Sequence, residues 1–530
     1  MQRRLTLLLA VLALAAVGLL PLAAMIGTSI FVDGKLTLAI YTKLLSNPLQ
    51  YWIALGRSLT LASLTAVCAT ALGVALGLLV GKTDLPFRRT LAVLLGIPLL
   101  LPPYVFAICW FNLLAGDGLL ARAAPVQLAA LLSHALYGLP GCVWVMVSAL
   151  MPAVMILTLV YLRAVNPRLE EAGRLVTRWP VVLYRITLPL GLPGILFGGL
   201  LVFLLALGEV GVPMFLRYPV YAVETLTQFS AFYDFGAAAA AAIPLLLVTL
   251  LMLALERRLL RAKVYNLRPS TPGRHMLRIP LGHWRIPVFL IVSVLCIVMV
   301  VLPIAALLVR SLWPFAYGDA WRQGANSLGR SLVLAATGAS LLVLLGFFCG
   351  YLIRTRTMRL WRPLDTLTLL LFTLPGTVIG IGLIALWNRP VTAFVYASAA
   401  MVIFAYLAQY TALTSRITVA ALSNVPQSLE EAAQMTGAPW LARIRHIVVP
   451  AALPGLIGGW LIGFIFCVRD LGASMLVYPA GQETLSVRIF TLMANGTPSL
   501  ISALCVMLVV VALCALGLLG WFLRCAAPRR

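Results

Sequence analysis

The chain has 530 residues, of which 62% are hydrophobic and only 10% are charged. Soluble domains are about 45–50% apolar and about 25% charged, so this composition excludes a soluble fold, which would expose very large apolar patches. The net charge of +24 would suggest nucleic acid in a soluble protein, but here cytoplasmic loops rich in Lys and Arg explain it better. At roughly 20 residues per crossing, about a dozen helices fit this length. We therefore predict an all-α polytopic membrane protein that does not bind nucleic acid.

Apolar runs predict twelve membrane helices, six in each half of the chain. Most Lys and Arg residues fall in alternate loops, which predicts that both termini are cytoplasmic. The segment 261–284 is basic, contains prolines and lacks an apolar period, so we interpret it as a cytoplasmic linker whose charges also suit membrane lipid headgroups. The predicted helices cover approximately residues 5–31, 58–81, 91–114, 141–163, 193–216, 237–256, 286–309, 331–353, 364–387, 393–415, 452–468 and 500–523.

The two halves, residues 1–260 and 285–530, repeat one another in the same order. Leu-Glu-Glu-Ala-Gly at 169–173 returns as Leu-Glu-Glu-Ala-Ala at 429–433. Three further correspondences support the repeat, and together they predict two parallel six-helix cores. These correspondences join Arg57-Ser58-Leu59 to Arg330-Ser331-Leu332, Pro189 to Pro450, and Glu224-Thr225-Leu226 to Glu483-Thr484-Leu485.

Both copies of the acidic motif lie in long predicted cytoplasmic loops, at 165–190 and 425–451. Each motif has good helix-forming residues, and Pro180 or Pro439 then forces a turn. The pattern predicts a helix, a turn and a short helix that lie across the inner mouth of the next membrane helix. Two such elements suit a two-fold symmetric cytoplasmic partner.

The second acidic motif resembles the EAA loop of binding-protein-dependent ABC transporter permeases. In that loop Glu-Ala-Ala is followed after three residues by Gly, and after nine more by Ile-x-Leu-Pro; this copy departs only at Val449. The first copy has Gly173 in place of the second Ala and Thr177 in place of the Gly, so its turn geometry is left open.

The resemblance implies the type-I importer fold, in the bacterial cytoplasmic (inner) membrane. It also implies that coupling helices insert into two copies of a separate ATP-binding subunit, and that an extracytoplasmic binding protein delivers the substrate. The coupling residues that it implies are Glu170, Glu171, Ala172, Gly173, Glu430, Glu431, Ala432, Ala433 and Gly437.

A few polar or helix-breaking residues within the predicted spans are candidates for the substrate path. Two acidic residues occupy matching positions late in the fifth and eleventh helices, and prolines interrupt the third helix of each half. We hypothesise that these residues line the path near its outer mouth; the alternative is that the acidic residues cap helix breaks. The candidates are Glu209, Asp470, Arg469, Pro102 and Pro375.

The sequence contains no nucleotide-binding motif. The segment from Gly77 to Thr83 comes nearest to one, but it lacks one residue between its glycines and ends a membrane helix, where we expect Lys82 to snorkel. Nucleophile triads, metal clusters and cofactor motifs find no support either. We therefore predict a transport subunit rather than an enzyme, with ATP hydrolysed by another chain.

The region from Arg469 to Gly496 is similar to the fused permeases of ferric iron importers. The resemblance implies ferric iron as the substrate, and thiamine, aminoalkylphosphonate and polyamine permeases of the same family are the alternatives. A secondary transporter with two parallel repeats is a less favoured class, because it would need buried coupling carboxylates and no docking loops.

Overall fold

The computed structural model describes residues 2–526 except 33–34, 38–39, 43–45, 47, 124, 232–233, 262–276 and 424. Most of the predicted linker at 261–284 lies outside these residues. The described chain is almost wholly helical, because Leu and Ala favour the helix and a lipid environment leaves no other partner for backbone polar groups.

The first half of the chain contains fourteen named helices within the described residues, three shorter helical turns and one two-stranded antiparallel hairpin. In chain order these elements are α1 (Gln2–Leu14), a π-turn (Ala15–Leu19), α2 (Leu20–Ile30), β1 (Phe31–Val32), β2 (Lys35–Leu36), α3 (Pro48–Lys82), α4 (Arg88–Gly96), a 3₁₀ turn (Ile97–Leu100), α5 (Pro103–Leu114), α6 (Leu119–Ala123), α7 (Val126–Leu136), α8 (Leu139–Ala164), α9 (Pro167–Val176), α10 (Trp179–Val182), a π-turn (Leu183–Thr187), α11 (Leu188–Leu207), α12 (Gly211–Phe215), α13 (Tyr221–Ser230) and α14 (Phe235–Arg261).

The second half follows the same plan. Its elements are a 3₁₀ turn (Gly282–Trp284), α15 (Arg285–Cys296), a π-turn (Ile297–Val301), α16 (Leu302–Ser311), α17 (Ala316–Thr355), α18 (Trp361–Thr373), α19 (Gly376–Trp387), a 3₁₀ turn (Pro390–Thr392), α20 (Ala393–Tyr396), α21 (Ala400–Ser423), α22 (Gln427–Met435), α23 (Trp440–Arg443), a π-turn (Ile444–Val448), α24 (Val449–Arg469), α25 (Ser474–Val477), α26 (Leu485–Asn495) and α27 (Pro498–Ala526).

Within the described residues, ten helical segments are long and apolar enough to cross a membrane, and two bent helix pairs raise the number to twelve. Each predicted span overlaps one of these segments, and the prediction of an all-α polytopic protein is confirmed. The two bent pairs are α18 with α19, at 110°, and the segment Pro390–Tyr396 with α21, at 81°.

The predicted breaks at Pro102 and Pro375 are present. Each proline is the N-terminal flanking residue of a new helix, α5 or α19, and each has extended backbone with ψ of 141° or 136°. A proline cannot continue the helical hydrogen bonding, so the preceding segment ends and the chain changes direction.

Four π-turns mark related positions in the two halves. Every one is followed two residues later by a proline, at Pro21, Pro189, Pro303 and Pro450. A proline ring clashes with the carbonyl four residues earlier, and each of these carbonyls lies within a π-turn. The wider turn lets the helix continue past the proline. Both halves therefore accommodate the clash with the proline ring in the same way.

Helix contacts and caps repeat as well. Gly77 of α3 packs on Thr158 of α8, and Gly350 of α17 packs on Thr418 of α21. The hydroxyl oxygens of Ser58 and Ser331 accept hydrogen bonds from the first backbone N–H of α13 and α26, both at 2.7 Å.

One proposed correspondence is placed differently by the structure. Glu224 and Thr225 lie on α13, whereas Glu483 and Thr484 precede α26, and Thr484 is its N-cap. The second half therefore has a longer segment before this helix, and the shared Glu-Thr-Leu letters do not mark equivalent positions.

The chain forms two compact units that do not coincide with its two halves. The first unit comprises Met1–Pro48, Glu224–Leu246 and Pro314–Arg530; in it α17, α21 and α24 pack together, and α2 packs on α19. The second unit comprises Leu49–Val223 and Leu247–Trp313; in it α11 and α5 pack on α8, and α16 packs on α5. The opening helix of each half thus belongs to the unit built mainly from the other half.

Candidate functional site

The first acidic motif forms α9, a short amphipathic helix. The side chain of Asn166 caps its start by accepting a hydrogen bond from the N–H of Arg168, at 3.1 Å. The helix ends at Thr177, which has an extended backbone with φ of −148°. The turn therefore differs from one made by glycine, since a β-branched residue strongly disfavours positive φ.

Glu170 points into the protein and is only 1% exposed. Its carboxylate accepts hydrogen bonds from Lys82 Nζ at 2.8 and 2.7 Å, and from Thr187 Oγ1 at 2.8 Å. Lys82 is 2% exposed, so the snorkelling prediction is wrong: burial of the ammonium is made tolerable by this carboxylate. The cluster joins the end of α3, the middle of α9 and the π-turn that precedes α11.

The second acidic motif forms α22, which ends in a glycine-dependent turn. Gly437 has φ of +77°, its N–H donates to the carbonyl of Gln434 at 3.1 Å, and the N–H of Ala438 donates to the carbonyl of Ala433 at 3.3 Å. This pair of bonds is a Schellman motif, which favours glycine at the left-handed position. The resemblance to the EAA pattern therefore has a geometric basis in this half.

Glu430 is anchored by a tyrosine hydroxyl, whereas Glu170 is anchored by a lysine. The hydroxyl of Tyr351 donates to Glu430 Oε1 at 2.7 Å, and the indole N–H of Trp440 donates to the same hydroxyl oxygen at 3.3 Å. The guanidinium of Arg3 lies 5.5 Å from the centre of the Tyr351 ring. The first glutamate of each motif therefore faces the protein and anchors its helix.

The second glutamate of each motif is exposed, as are Ala172 and Ala432. Leu175 and Met435 occupy the same place near the ends of α9 and α22, and they are 89% and 88% exposed. Glu171 and Glu431 therefore share the open surface of each helix with an uncovered apolar side chain.

Gly173 and Ala433 are only half-exposed. A Cβ on Gly173 would lie 2.6 Å from Ile186 Cδ1 in the following π-turn. The missing side chain thus lets α9 lie close against that turn, which gives a steric reason for glycine where the second half has alanine.

Asp470 is buried at the end of α24 and caps α25. Tyr410 donates to its Oδ1 at 2.7 Å, and the backbone N–H of Ser474 donates to its Oδ2 at 2.9 Å. Glu209 has the matching place, where its Oε1 accepts a hydrogen bond from the N–H of Gly211 at 3.1 Å. Both acidic residues thus satisfy backbone groups at the start of a short helix.

The structure brings two of the candidate path segments together. The first residue of α19, Gly376, meets the chain that follows Asp470: a Cβ on Gly376 would lie 2.6 Å from the backbone nitrogen of Ala473. The helix break at Pro375 and the acidic cap therefore touch. The guanidinium of Arg469 lies 4.8 Å from the ring centre of Phe466.

Sequence reasoning missed the residues that anchor the two motifs. Lys82 was recognised only as a helix end, and Thr187 and Tyr351 carried no signal. A lysine that directly follows a membrane helix and precedes an acidic loop is a common pattern, so only the fold shows that it pairs with Glu170. The roles of the motif and path residues in transport stay predictions.

Comparison with known proteins identifies the family that this chain resembles. Residues 342–525 match the family described as "Binding-protein-dependent transport system inner membrane component". The ferric transport system permease protein FbpB of Actinobacillus pleuropneumoniae is 21% identical over 487 residues, which cover 88% of this chain and 70% of that protein.

Two shorter permeases are also similar. The putative 2-aminoethylphosphonate transport system permease protein PhnV of Salmonella typhimurium is 26% identical over 242 residues, covering 42% of this chain and 89% of that protein. The putrescine transport system permease protein PotI of Escherichia coli is 27% identical over 220 residues, covering 40% of this chain and 78% of that protein. The predicted resemblance to binding-protein-dependent ABC transporter permeases is confirmed.

Proposed function

We propose that this ABC importer permease, a multi-pass membrane protein, carries ferric iron across a bacterial cytoplasmic membrane. The observation that carries the proposal is the extent of the match to the ferric permease of Actinobacillus pleuropneumoniae, which runs through both halves of this chain. The phosphonate and putrescine permeases match less than half of it. A relative matched over 88% of this chain, and so through both halves, supports the fused architecture together with its named cargo.

The two acidic helices are proposed as the docking elements for two copies of a separate ATPase subunit. On each helix an exposed glutamate, Glu171 or Glu431, lies beside a nearly bare apolar residue, Leu175 or Met435. An apolar contact bordered by polar or charged side chains is the usual anatomy of a protein interface. Docking there requires cytoplasmic termini, and the charge bias of the loops supports that orientation.

ATP binding would then draw the two docked subunits together and move both acidic helices. The permease responds as a two-state element whose equilibrium is biased by a ligand bound elsewhere. An extracytoplasmic binding protein delivers the substrate, which crosses the membrane as the permease changes from one state to the other. No covalent chemistry is involved. Within each unit we assign a helix break to the path, Pro102 with the half-buried Glu209 in one unit and Pro375 in the other, because a negative charge beside such a break favours a cation. We assign the buried Asp470 to the cap of α25.

ATP-dependent uptake of radioactive ferric iron tests the proposal. We would compare cells with the intact gene, a deletion, the restored gene and the Glu171→Ala/Glu431→Ala variant. Iron uptake lost in the deletion and regained on restoration is the expected result. Iron uptake that survives deletion would overturn the substrate assignment, and parallel assays with thiamine, 2-aminoethylphosphonate and putrescine would show which cargo replaces it.

A further inference from the structure

The first glutamates of the two acidic motifs are anchored by unlike interactions. In the first half Glu170 accepts three hydrogen bonds, two of them from a buried ammonium. In the second half Glu430 accepts its hydrogen bond from the neutral hydroxyl of Tyr351, and the guanidinium of Arg354, which lines the same cavity, acts on it through electrostatic attraction. Since the two motifs are sequence repeats, this difference lies in their surroundings rather than in the motifs themselves.

The repeat register shows where the difference arises. Gly73 and Gly77 of α3 pack on α8 as Gly346 and Gly350 of α17 pack on α21, which fixes the equivalence of the two helices. Five residues after the second glycine, the first half has Lys82 and the second half has Thr355. The ammonium of the first half is therefore replaced by a short hydroxyl side chain.

The space near Thr355 is an open cavity in the second half. The cavity has a volume of about 240 Å³, and Arg3, Thr355, Glu430 and Glu431 are among the residues that line it. Glu430 is half-buried, whereas Glu170 is sealed from solvent. Water reaches the second anchor, so its hydrogen bond can be exchanged at little cost, while the first anchor cannot open without leaving two buried charges unpaired.

The first anchor bonds two neighbouring elements directly to one carboxylate. Lys82 is the last residue of the long helix α3, and Thr187 is the last residue of the π-turn that leads into α11. Through Glu170, the helix α9 is held to both neighbours at once. A push on α9 is therefore transmitted directly to two membrane helices.

We propose that Lys82 is a positioning residue that locks α9 to α3 and α11, and that the two acidic helices are mechanically unequal: α9 is rigidly fixed, and α22 is held by an exchangeable contact. This inference deepens the proposed coupling role and rests on it for its consequence in transport. Its structural part, the unequal anchoring, does not depend on which substrate is carried.

Amide hydrogen exchange of the full-length permease in lipid nanodiscs tests the unequal anchoring. In the unaltered chain, peptides covering 167–176 should exchange about tenfold more slowly than those covering 427–435, because opening α9 requires the ion pair to break. Lys82→Met should accelerate exchange in 167–176 by about tenfold or more, and Tyr351→Phe should change exchange in 427–435 by less than about threefold. Equal protection of the two segments in the unaltered chain would overturn the inequality.

A double variant separates positioning from simple structural support. Lys82→Met/Glu170→Met removes both charges, and a buried ion pair replaced by apolar side chains commonly keeps its stability. We expect its thermal midpoint to stay near that of the unaltered chain while substrate carried per ATP hydrolysed falls about threefold or more, because the directional bonds are gone. The complex with its ATPase subunit is used, and co-purification of that subunit shows that docking persists.

A double variant with normal stability and normal transport per ATP would reduce Lys82 to a structural role and overturn the positioning assignment. An equal loss in Tyr351→Phe would overturn the inequality of the two halves. Failure of iron uptake in the unaltered complex would instead contradict the proposed substrate and leave the exchange result standing, so the two proposals fail separately.

Discussion

Gly350 touches Thr418 so closely that a methyl group on the glycine would lie 2.8 Å from Thr418 Cβ, and 2.6 Å from the carbonyl oxygen of Ser415. The first half has the same contact, where a methyl on Gly77 would lie 2.9 Å from Thr158 Cβ. In a membrane, close backbone approach is a main source of helix association, since lipid removes the hydrophobic drive between helices. These contacts therefore stabilise the packing of α17 on α21 in one unit and of α3 on α8 in the other.

Gly350→Ala should lower stability by about 1–3 kcal/mol, because the backbone carbonyl of Ser415 cannot move aside as a flexible side chain would. Gly329→Ala on the same helix is the matched control, since nothing lies within 4 Å of that position. The control should be neutral or stabilising by about 0.5–1 kcal/mol, because alanine favours helix. Thermal unfolding of the purified permease measures the stability of both variants. Equal thermal midpoints for Gly350→Ala and Gly329→Ala would contradict the close contact at Gly350.

Gly437→Ala should destabilise the turn after α22. The residue has φ of +77°, and a left-handed backbone costs a non-glycine residue about 1–2 kcal/mol. Thr177→Gly is the reciprocal change in the first half, where φ is −148° and glycine gains nothing. Hydrogen exchange in 427–438 should rise in the alanine variant. Unchanged exchange in 427–438 would show that the Schellman turn does not depend on glycine. A gain in stability from Thr177→Gly would contradict the extended backbone at the end of α9.

Glu171→Ala/Glu431→Ala should abolish transport without unfolding the permease. Both side chains are exposed, so the variant should keep its thermal midpoint, while loss of the two charges that we propose for the interface should weaken binding of the ATPase subunit by about tenfold or more. Asp319→Ala is a control, since that exposed carboxylate pairs with neighbouring Arg322 on the surface. Co-purification measures the outcome, and full retention of the ATPase subunit by the double variant would place the docking contact elsewhere.

Asp470→Asn should lower stability by about 1–3 kcal/mol, because an amide cannot accept all the hydrogen bonds that the buried carboxylate accepts from Tyr410 and Ser474. Uptake should fall only in proportion to the folded protein. Thermal midpoint and uptake per folded molecule are measured together. A normal midpoint with poor uptake would assign Asp470 to the substrate path rather than to the cap.

Glu209→Gln tests the path more directly, because Glu209 is half-buried and glutamine keeps the oxygen that accepts from Gly211. Stability should hardly change, while the iron concentration for half-maximal uptake should rise about threefold as the negative charge is lost. Uptake kinetics of the reconstituted complex provide the measurement. Unaltered kinetics would remove Glu209 from the path.

The sequence predicted the features that depend on local physics. Apolar runs marked the spans and prolines marked the breaks at Pro102 and Pro375, because each signal acts within a few residues. The left-handed backbone of Gly437 is known only from the structure. The residues that anchor the acidic helices could not be predicted, because their contacts join residues far apart in the sequence. Lys82 and Glu170 are 88 residues apart, and a lysine at a helix end looks the same whether it faces lipid headgroups or a buried carboxylate.

Matching short identical segments gave a wrong equivalence where the length of the connecting segment differs between the two halves. Glu224 and Glu483 share a Glu-Thr-Leu context, yet they lie on opposite sides of a helix start. The serine caps give the true register, since Ser58 and Ser331 bond the first residues of α13 and α26. A hydrogen bond between distant segments is a better guide to equivalence than three shared letters.

The composition of the two compact units constrains how the protein is made. Helices α1 and α2 leave the ribosome well before their packing partners α17 and α19, which lie beyond residue 314. At about 5–20 residues per second, the opening helices wait on the order of tens of seconds in the bilayer. Their satisfied backbone lets them survive that interval alone. The second half therefore packs against helices that were inserted before it, and a gene divided at the linker would yield two polypeptides that must each find a missing helix in the other.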